Sequence, residues 1–352
     1  MRVPCLMAAM AAVTPSLDAQ DTTGSRTLVP LPAIFYQPET GLAFGAAIGW
    51  FTTPPPGPDG RPSLTSSTLA VAIFTTKAQL VTSLGRETWP DDGRRHVQVG
   101  VEFQRFPTKY WSIGNDTPDS VEVSYTPVFA GARFELTTRV AEHLYVGGAL
   151  RGRWRRLRDS VAAPGTATGI LAGGGPMVTW DSRDRVNAPR HGALFQFRSD
   201  AYPDTPGPTG AFGVMLLDLR GYITLTGQQV LALQVVGKDA WGDPPFDQYP
   251  TLGGDAVLRG FYDGRYRDRR LLALQAEYRG TVIGRFGIAA AVSTGQVMAR
   301  WDDLAFDAFH TSVGGGLRFV LDPAAGLAIR VDWATATDGS TTGLYFSAGE
   351  AF

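Results

Sequence analysis

Apolar and polar residues alternate with period two along almost the whole chain after residue 40. In HVQVGVEFQRF, Val97, Val99, Val101 and Phe103 share one face, opposite Gln98, Glu102 and Gln104. In LLALQAEYRG, Leu272, Leu274, Ala276 and Tyr278 oppose Gln275, Glu277 and Arg279. In GLAIRVDW, Leu327, Ile329, Val331 and Trp333 oppose Arg330 and Asp332, and LYVGGALRGRW gathers Arg151, Arg153 and Arg155 on one side. Side chains of a strand point alternately to its two faces, so strict alternation predicts strands with one apolar and one polar face. Helical periodicity interrupts the series nowhere.

A soluble sandwich would bury the apolar faces, and a membrane barrel would turn them to lipid; alternation fits both. Length separates them. The runs 94–106, 124–138, 142–157 and 168–181 reach ten residues or more. A tilted membrane strand needs about 9–11 residues, whereas globular strands centre near five or six. The predicted fold is therefore an all-β, transmembrane antiparallel β-barrel. Strands are predicted at 41–52, 64–75, 78–88, 94–106, 124–138, 142–157, 168–181, 191–202, 210–223, 228–240, 269–282, 285–298, 309–320, 326–336 and 341–352. That is an odd set, and a closed antiparallel barrel with both ends on one side needs an even one. Adding AIFYQPE (33–39) makes 16 strands; merging or losing some makes 14. Breaker-rich stretches such as TPPPGPDGRP (53–62), PDDGRR (90–95) and DPAAG (322–326) mark turns. The longest connection, about 241–268, mixes aromatics, Gly and Arg, a composition that predicts an ordered functional loop.

Composition sharpens this picture. Only 18% of residues are charged, 11% are aromatic and 42 are Gly, which suits a surface covered by lipid. A net charge of -1 supplies no basic face for nucleic acid. Arg2, the apolar run VPCLMAAMAAV and the small residues up to Ala19 read as a signal peptide over residues 1–19. Residues 20–32 are then a periplasmic linker and 33–352 an outer-membrane barrel. The single cysteine, Cys5, lies within the signal, so neither disulfides nor thiolate metal sites are expected in the mature chain.

Enzymatic chemistry finds little support. His96, His143, His191 and His310 are scattered without metal-ligand spacing, and no G-x-S-x-G or phosphate-cradling glycine loop occurs. WDSRD (180–184) fits a strand end better than a calcium site. No cofactor is expected. Alternation places Arg151, Arg153, Arg155, Arg198, Arg279, Arg318 and Arg330 inside the barrel with Glu102, Asp200, Glu277 and Asp332. These can attract anions or fill the lumen with ion pairs, and the second reading is preferred.

The segment GGDAVLRGFYDGRYRDRRLLALQAEYRG (253–280) resembles the signature region of the bacterial surface-antigen barrels, the superfamily of BamA, TamA and the two-partner-secretion transporters. In that family a Val/Leu-Arg-Gly-Phe/Tyr tetrad tips a long extracellular loop that folds back into the lumen. The matching residues are Leu258, Arg259, Gly260 and Phe261. DSRDRVNAPRHG (181–192), GGGLRFVLDPAAGLAIRVDWA (314–334) and the aromatic ending YFSAGEAF (345–352) extend the likeness, as do YQPETGLAFGA (36–46) and YWSIGND (110–116). The resemblance implies that Phe352 ends the closing strand as an insertion signal and that Arg259 pins the loop inside. It also implies periplasmic POTRA modules, for which about twenty residues before the first strand leave no room. Family members often carry Phe-x-Asp-x-Gly on a neighbouring strand, its Asp pairing with the tetrad Arg. Here the stretch is Ala291-Val292-Ser293-Thr294-Gly295. Ser293 thus replaces the acid, leaving Glu277 as the expected main partner of Arg259.

Function then divides into two readings. One is assembly or translocation of outer-membrane proteins by a monomer in contact with outer-membrane lipids, client proteins and a separate periplasmic partner. The other is a passive channel or a structural membrane protein without clients.

Overall fold

Alternating strands that expose their apolar face can be stable only if the sheet closes on itself and lipid covers the outside. The computed structural model shows this closure. It describes residues 25–53, 65–91, 93–159, 161–204, 210–322 and 326–352; the expected signal peptide lies outside the described residues. Sixteen antiparallel strands form the wall in chain order. They are β1 (Ser25–Gln37), β2 (Gly41–Thr53), β3 (Ser66–Thr75), β4 (Leu80–Thr88), β5 (Arg95–Arg105), β8 (Pro127–Ala141), β9 (Leu144–Leu157), β10 (Gly169–Asp181), β11 (Gly192–Tyr202), β12 (Phe212–Thr224), β13 (Gln229–Gly242), β16 (Arg270–Ile283), β17 (Phe286–Met298), β18 (His310–Asp322), β19 (Leu327–Ala336) and β20 (Thr342–Ala348). Two small hairpins lie off the wall, β6 (Thr108–Tyr110) with β7 (Val123–Tyr125), and β14 (Thr251–Leu252) with β15 (Tyr266–Arg267).

The two faces settle the choice between sandwich and barrel. Phe44, Trp50, Phe74, Val101, Leu150 and Trp333 are exposed on the outside, while Arg155, Asp200, Asp218, Glu277 and Arg330 are buried inside. A sandwich would show the opposite. The inner wall is not uniform, however. Across β1–β3 and as far as Val81 of β4 it is apolar, with Phe35, Ala43, Ala47, Val71, Ile73 and Val81 in one cluster, so β2 and β3 are apolar on both faces.

Two expectations are corrected. The first strand begins at Ser25, so residues 25–32, expected as linker, belong to the wall. Pro30 and Pro32 hide it in the sequence, because proline cannot donate to a ladder and is confined to edge positions. The last strand ends at Ala348 rather than 352. There the chain bonds once more to β19, Gly349 N–H to Ala328 O at 2.8 Å, and turns into the lumen. Phe352 therefore does not end the closing strand. It packs inside against Tyr222, Val230 and Ala232, beneath the Arg279 guanidinium.

The seam between first and last strands is short. β1 has 13 residues and β20 has 7, and a single residue pair, Tyr36 and Phe346, bridges them. The β1–β2 ladder, by contrast, runs unbroken from Ser25 to Gln37. Its hairpin is tied by Thr40 N–H to Gln37 O and by Gly41 at φ 63°, a left-handed position that glycine adopts without strain.

Candidate functional site

The loop between β13 and β16 (243–269) enters the barrel, and its tip carries the tetrad. Leu258 and Phe261 are fully or almost fully buried in a cluster with Leu216, Val236, Leu271 and Val297 from the upper wall. Burying two large apolar side chains stabilises the docked loop by about 1.5–3 kcal/mol each. Gly260 sits at φ 99° with its Cα against β19, where a Cβ would lie 3.2 Å from the Ala334 carbonyl. Only glycine fits that combination. Its N–H donates to Tyr345 Oη at 2.9 Å, and Thr341 Oγ1 donates to its carbonyl at 3.0 Å. The tip is thus tied directly to the closing strand and its preceding turn.

Arg259 is 3% exposed and sits between two carboxylates. Nη1 donates to Asp332 Oδ2 at 2.8 Å, and Nη2 donates to Glu277 Oε2. Glu277 also accepts from Arg279 Nε at 2.7 Å, and Asp332 from Arg330 Nη1 at 2.6 Å and from Arg318. Asp255, near the tip, accepts from Arg330 and from Gln37 of β1 at 3.3 Å, and Glu350 accepts from Arg318 Nε at 2.9 Å. Arg259, Arg279, Arg318 and Arg330 are matched by Glu277, Asp332, Asp255 and Glu350. Desolvating ions is expensive, so such a cluster persists only when its charges balance. This is the ion-pair filling expected from the pattern, repeated across the lumen where Arg151 joins Glu135 and Asp200.

The expected partners divide. Glu277 pairs with Arg259. Ser293 does not bond to it: its hydroxyl donates to Gln275 Oε1 at 2.9 Å. Ser293 and Arg259 instead line a common cavity of about 10 Å³, close to the size of one water. The second acid comes from β19 as Asp332, which the sequence places inside but does not match to any arginine.

Further residues bridge both mouths. Asn115, in the turn following β6, crosses the loop-bearing mouth to the opposite wall. Its Oδ1 accepts from Val297 N–H at 3.1 Å, its Nδ2 donates to Ala308 O at 2.8 Å, and its carbonyl accepts from His310 Nε2 at 2.9 Å. Gly114 N–H donates to Arg267 O at 2.8 Å, stitching this loop to the lumen loop. Arg155 of β9 pairs with Asp247 at 2.9 Å and anchors the lumen loop's other side. At the opposite mouth Ala188, in the β10–β11 turn, packs on Gly326 before β19, with four wall strands between the two hairpins. The YWSIGND stretch marks the first of these contacts in the sequence; Ala188 and Gly326 of the last lie in the stretches 181–192 and 314–334, which do not reveal that the two meet.

Beside the lumen loop, in the β1–β2 turn, Glu39 is 4% exposed. Burial, with help from the nearby Asp263 and Asp255 charges and against that of Lys77, pushes its carboxyl up to about 8. Among the described residues no cluster of His, Cys, Asp and Glu could hold a metal.

Comparison with known proteins agrees with this architecture. Residues 94–352 match the Omp85 superfamily domain. No curated protein sequence matches the chain. The fold is similar to that of BamA from Haemophilus ducreyi lacking POTRA domains 1-3, with TM-score 0.64 and 13% identity over 94% of this chain and 70% of that one. It is also similar to CdiB from Acinetobacter baumannii, with TM-score 0.59 and 14% identity over 94% and 60%, and to CdiB from Escherichia coli, with 0.63 and 12% over 91% and 62%. The chain thus spans between 60% and 70% of the length of these proteins. At such identities the likeness is one of fold.

Proposed function

This outer-membrane barrel belongs to the Omp85 superfamily, and from that premise we propose that it assists the insertion or translocation of other outer-membrane proteins at its β1–β20 seam. The observation that carries this reading is the mismatch at the seam. A 13-residue strand meets a 7-residue one through one bridging pair, in a wall whose other neighbours pair along most of their length. Backbone groups facing lipid must be satisfied, so an incompletely paired edge is a place where another strand can add. The lumen loop holds both sides of that seam, Gln37 of β1 through Asp255 and Tyr345 of β20 through Gly260. Withdrawal of the loop therefore loosens the seam. The protein performs no covalent chemistry on its client and needs no cofactor in this role.

The test is insertion of an unfolded outer-membrane barrel into liposomes that contain this protein. Wild type should accelerate insertion over empty liposomes. A Tyr36→Cys/Phe346→Cys pair should abolish the acceleration when oxidised and restore it when reduced. Equal rates with and without the protein would overturn the reading. Stitching at both mouths speaks against the alternative of a passive channel.

A further inference from the structure

A line of side-chain hydrogen bonds crosses four strands on the inner wall, and every link points the same way. Ser293 of β17 donates its hydroxyl to Gln275 Oε1 of β16 at 2.9 Å, and Gln275 Nε2 donates to Gln234 Oε1 of β13 at 2.8 Å. Gln234 Nε2 then donates to Asp218 Oδ1 of β12, again at 2.8 Å. Ser293, Gln275 and Gln234 are direct cross-strand partners, and Asp218 is the inward neighbour of Arg220, the partner of Gln234 on β12. All four members of the line are buried. The line has one branch. Gln275 Nε2 also donates to Ala256 O at 2.9 Å, in the lumen loop three residues before Arg259.

The direction follows from what each group can do. A side-chain amide has an accepting end and a donating end, and turning it over exchanges them, whereas a carboxylate can only accept. The Asp218 carboxylate is held by Arg220, from Nε at 3.1 Å and from Nη2 at 2.8 Å. It obliges Gln234 to present its NH2 to β12 and its oxygen to Gln275. Gln275 must then give its NH2 to Gln234, and the second hydrogen of that NH2 reaches Ala256. Turned over, Gln275 would set its oxygen against two other oxygens and lose both bonds. Unpaired acceptors are costly away from water, so the far end of the line governs the near one. Successive inward residues of β16 thus grip the loop at two points, Gln275 at Ala256 and Glu277 at Arg259.

We infer that Asp218 is a positioning residue for the lumen loop. Acting through Gln234 from two strands away, it fixes which end of Gln275 faces Ala256, and so gives the loop a hold separate from the arginine clamp. This hold stands by itself. Its effect on client insertion, through the ease with which the loop withdraws, rests on the assembly reading.

The test is cleavage of the loop by protease added outside liposomes that carry the full-length protein. Overall stability is followed in parallel, as the temperature at which the barrel loses its compact gel mobility. Gln275→Met removes both donors without adding charge and should raise the cleavage rate roughly tenfold. Asp218→Asn leaves an amide that can donate as well as accept, lets the line run either way and should raise cleavage severalfold. Asp218→Asn/Gln234→Glu moves the obligate acceptor one strand nearer the loop. The new glutamate can only accept from Gln275, lies across the ladder from Arg220 and takes a bond from the new asparagine. Cleavage should return close to the wild-type rate, whereas a merely structural role for Asp218 would make two buried changes worse than one. Should Asp218→Asn fail to fold, Gln275→Met and the charge-conserving double variant still decide. Wild-type cleavage in Gln275→Met, or a double variant cut as fast as Gln275→Met, would overturn the inference. In the insertion assay Asp218→Asn should speed up client insertion. Faster loop cleavage without that change would support the hold and count against the assembly reading instead.

Discussion

Arg259 Nη1 lies 2.8 Å from Asp332 Oδ2, joining the tip of the lumen loop to β19 across 73 residues of chain. With Glu277 on the other side, the guanidinium is clamped between strands β16 and β19. Removing one partner of a buried pair costs about 3–5 kcal/mol, because the remaining charge stays desolvated. Arg259→Ala should loosen the loop by that order, read as faster cleavage of the loop by protease added outside. Cleavage at the wild-type rate would show that the pair does not hold the loop.

The cavity beside Ser293 allows a test of where the acid must be. Ser293→Asp alone should destabilise the loop, since it adds a charge to a balanced cluster and takes the hydroxyl from Gln275. Combined with Asp332→Asn, the same change should restore part of the loss. Simple addition of the two effects would mean that the positions do not share the arginine.

Gly260→Ala combines a left-handed backbone with a 3.2 Å approach to β19. Backbone strain of this kind costs on the order of 1–3 kcal/mol. Undocking should therefore approach that of Arg259→Ala, although no charge is touched. Loop proteolysis ranks the two.

In planar bilayers the wild-type protein should conduct little. Asn115→Ala, which removes two side-chain hydrogen bonds across the mouth, should give intermittent openings, and deletion of 250–265 should give large ones. Strong, steady conductance by the wild type would remove the stitched-mouth account.

Glu39 gives the fold a pH dependence of known sign. Its carboxyl ionises near 4.5 in the unfolded chain and near 8 when buried. Folding therefore takes up a proton between those values, and stability falls as pH rises from about 4.5 to about 8, then levels off. Asp263, Asp255 and Lys77 lie around it and set the size of the effect. The urea midpoint should be lower at pH 8.5 than at pH 5.5, and Glu39→Gln should flatten that difference. An equal slope in the variant would assign it to other groups.

Alternation alone located most of the wall. The runs predicted at 142–157, 168–181 and 191–202 are β9, β10 and β11 to within two residues, because one residue of slip would exchange lipid for lumen. It failed where a strand breaks that rule. Pro30 and Pro32 lie in the strand at the seam, and as residues without an N–H they look like a linker. The stretch 349–352 follows the closing strand directly in sequence but turns into the lumen, where Glu350 meets Arg318 and Phe352 is buried. The site was half legible. The tetrad and Glu277 follow from resemblance and alternation, whereas Asp332, Asn115 and the Ala188–Gly326 contact depend on closure of the barrel, which brings distant strands together. Local sequence carries no trace of which inward carboxylate will meet which guanidinium.

The doubly apolar strands beside the seam have a consequence for how the barrel is made. In β9, a shift of one residue would drive arginines into lipid, so the wrong pairing is rejected by solvation. In β2 and β3 the same shift exchanges Val71 and Ile73 for Ala72 and Phe74, one greasy face for another. Solvation cannot proofread these strands. Their alignment falls to the tight turns, Gln37–Gly41 and Thr75–Gln79, which clamp the hairpin ends with short hydrogen-bonded loops. This quarter of the wall, next to the place where strands part, is then the one whose registration errors would persist longest and whose turns tolerate insertion least.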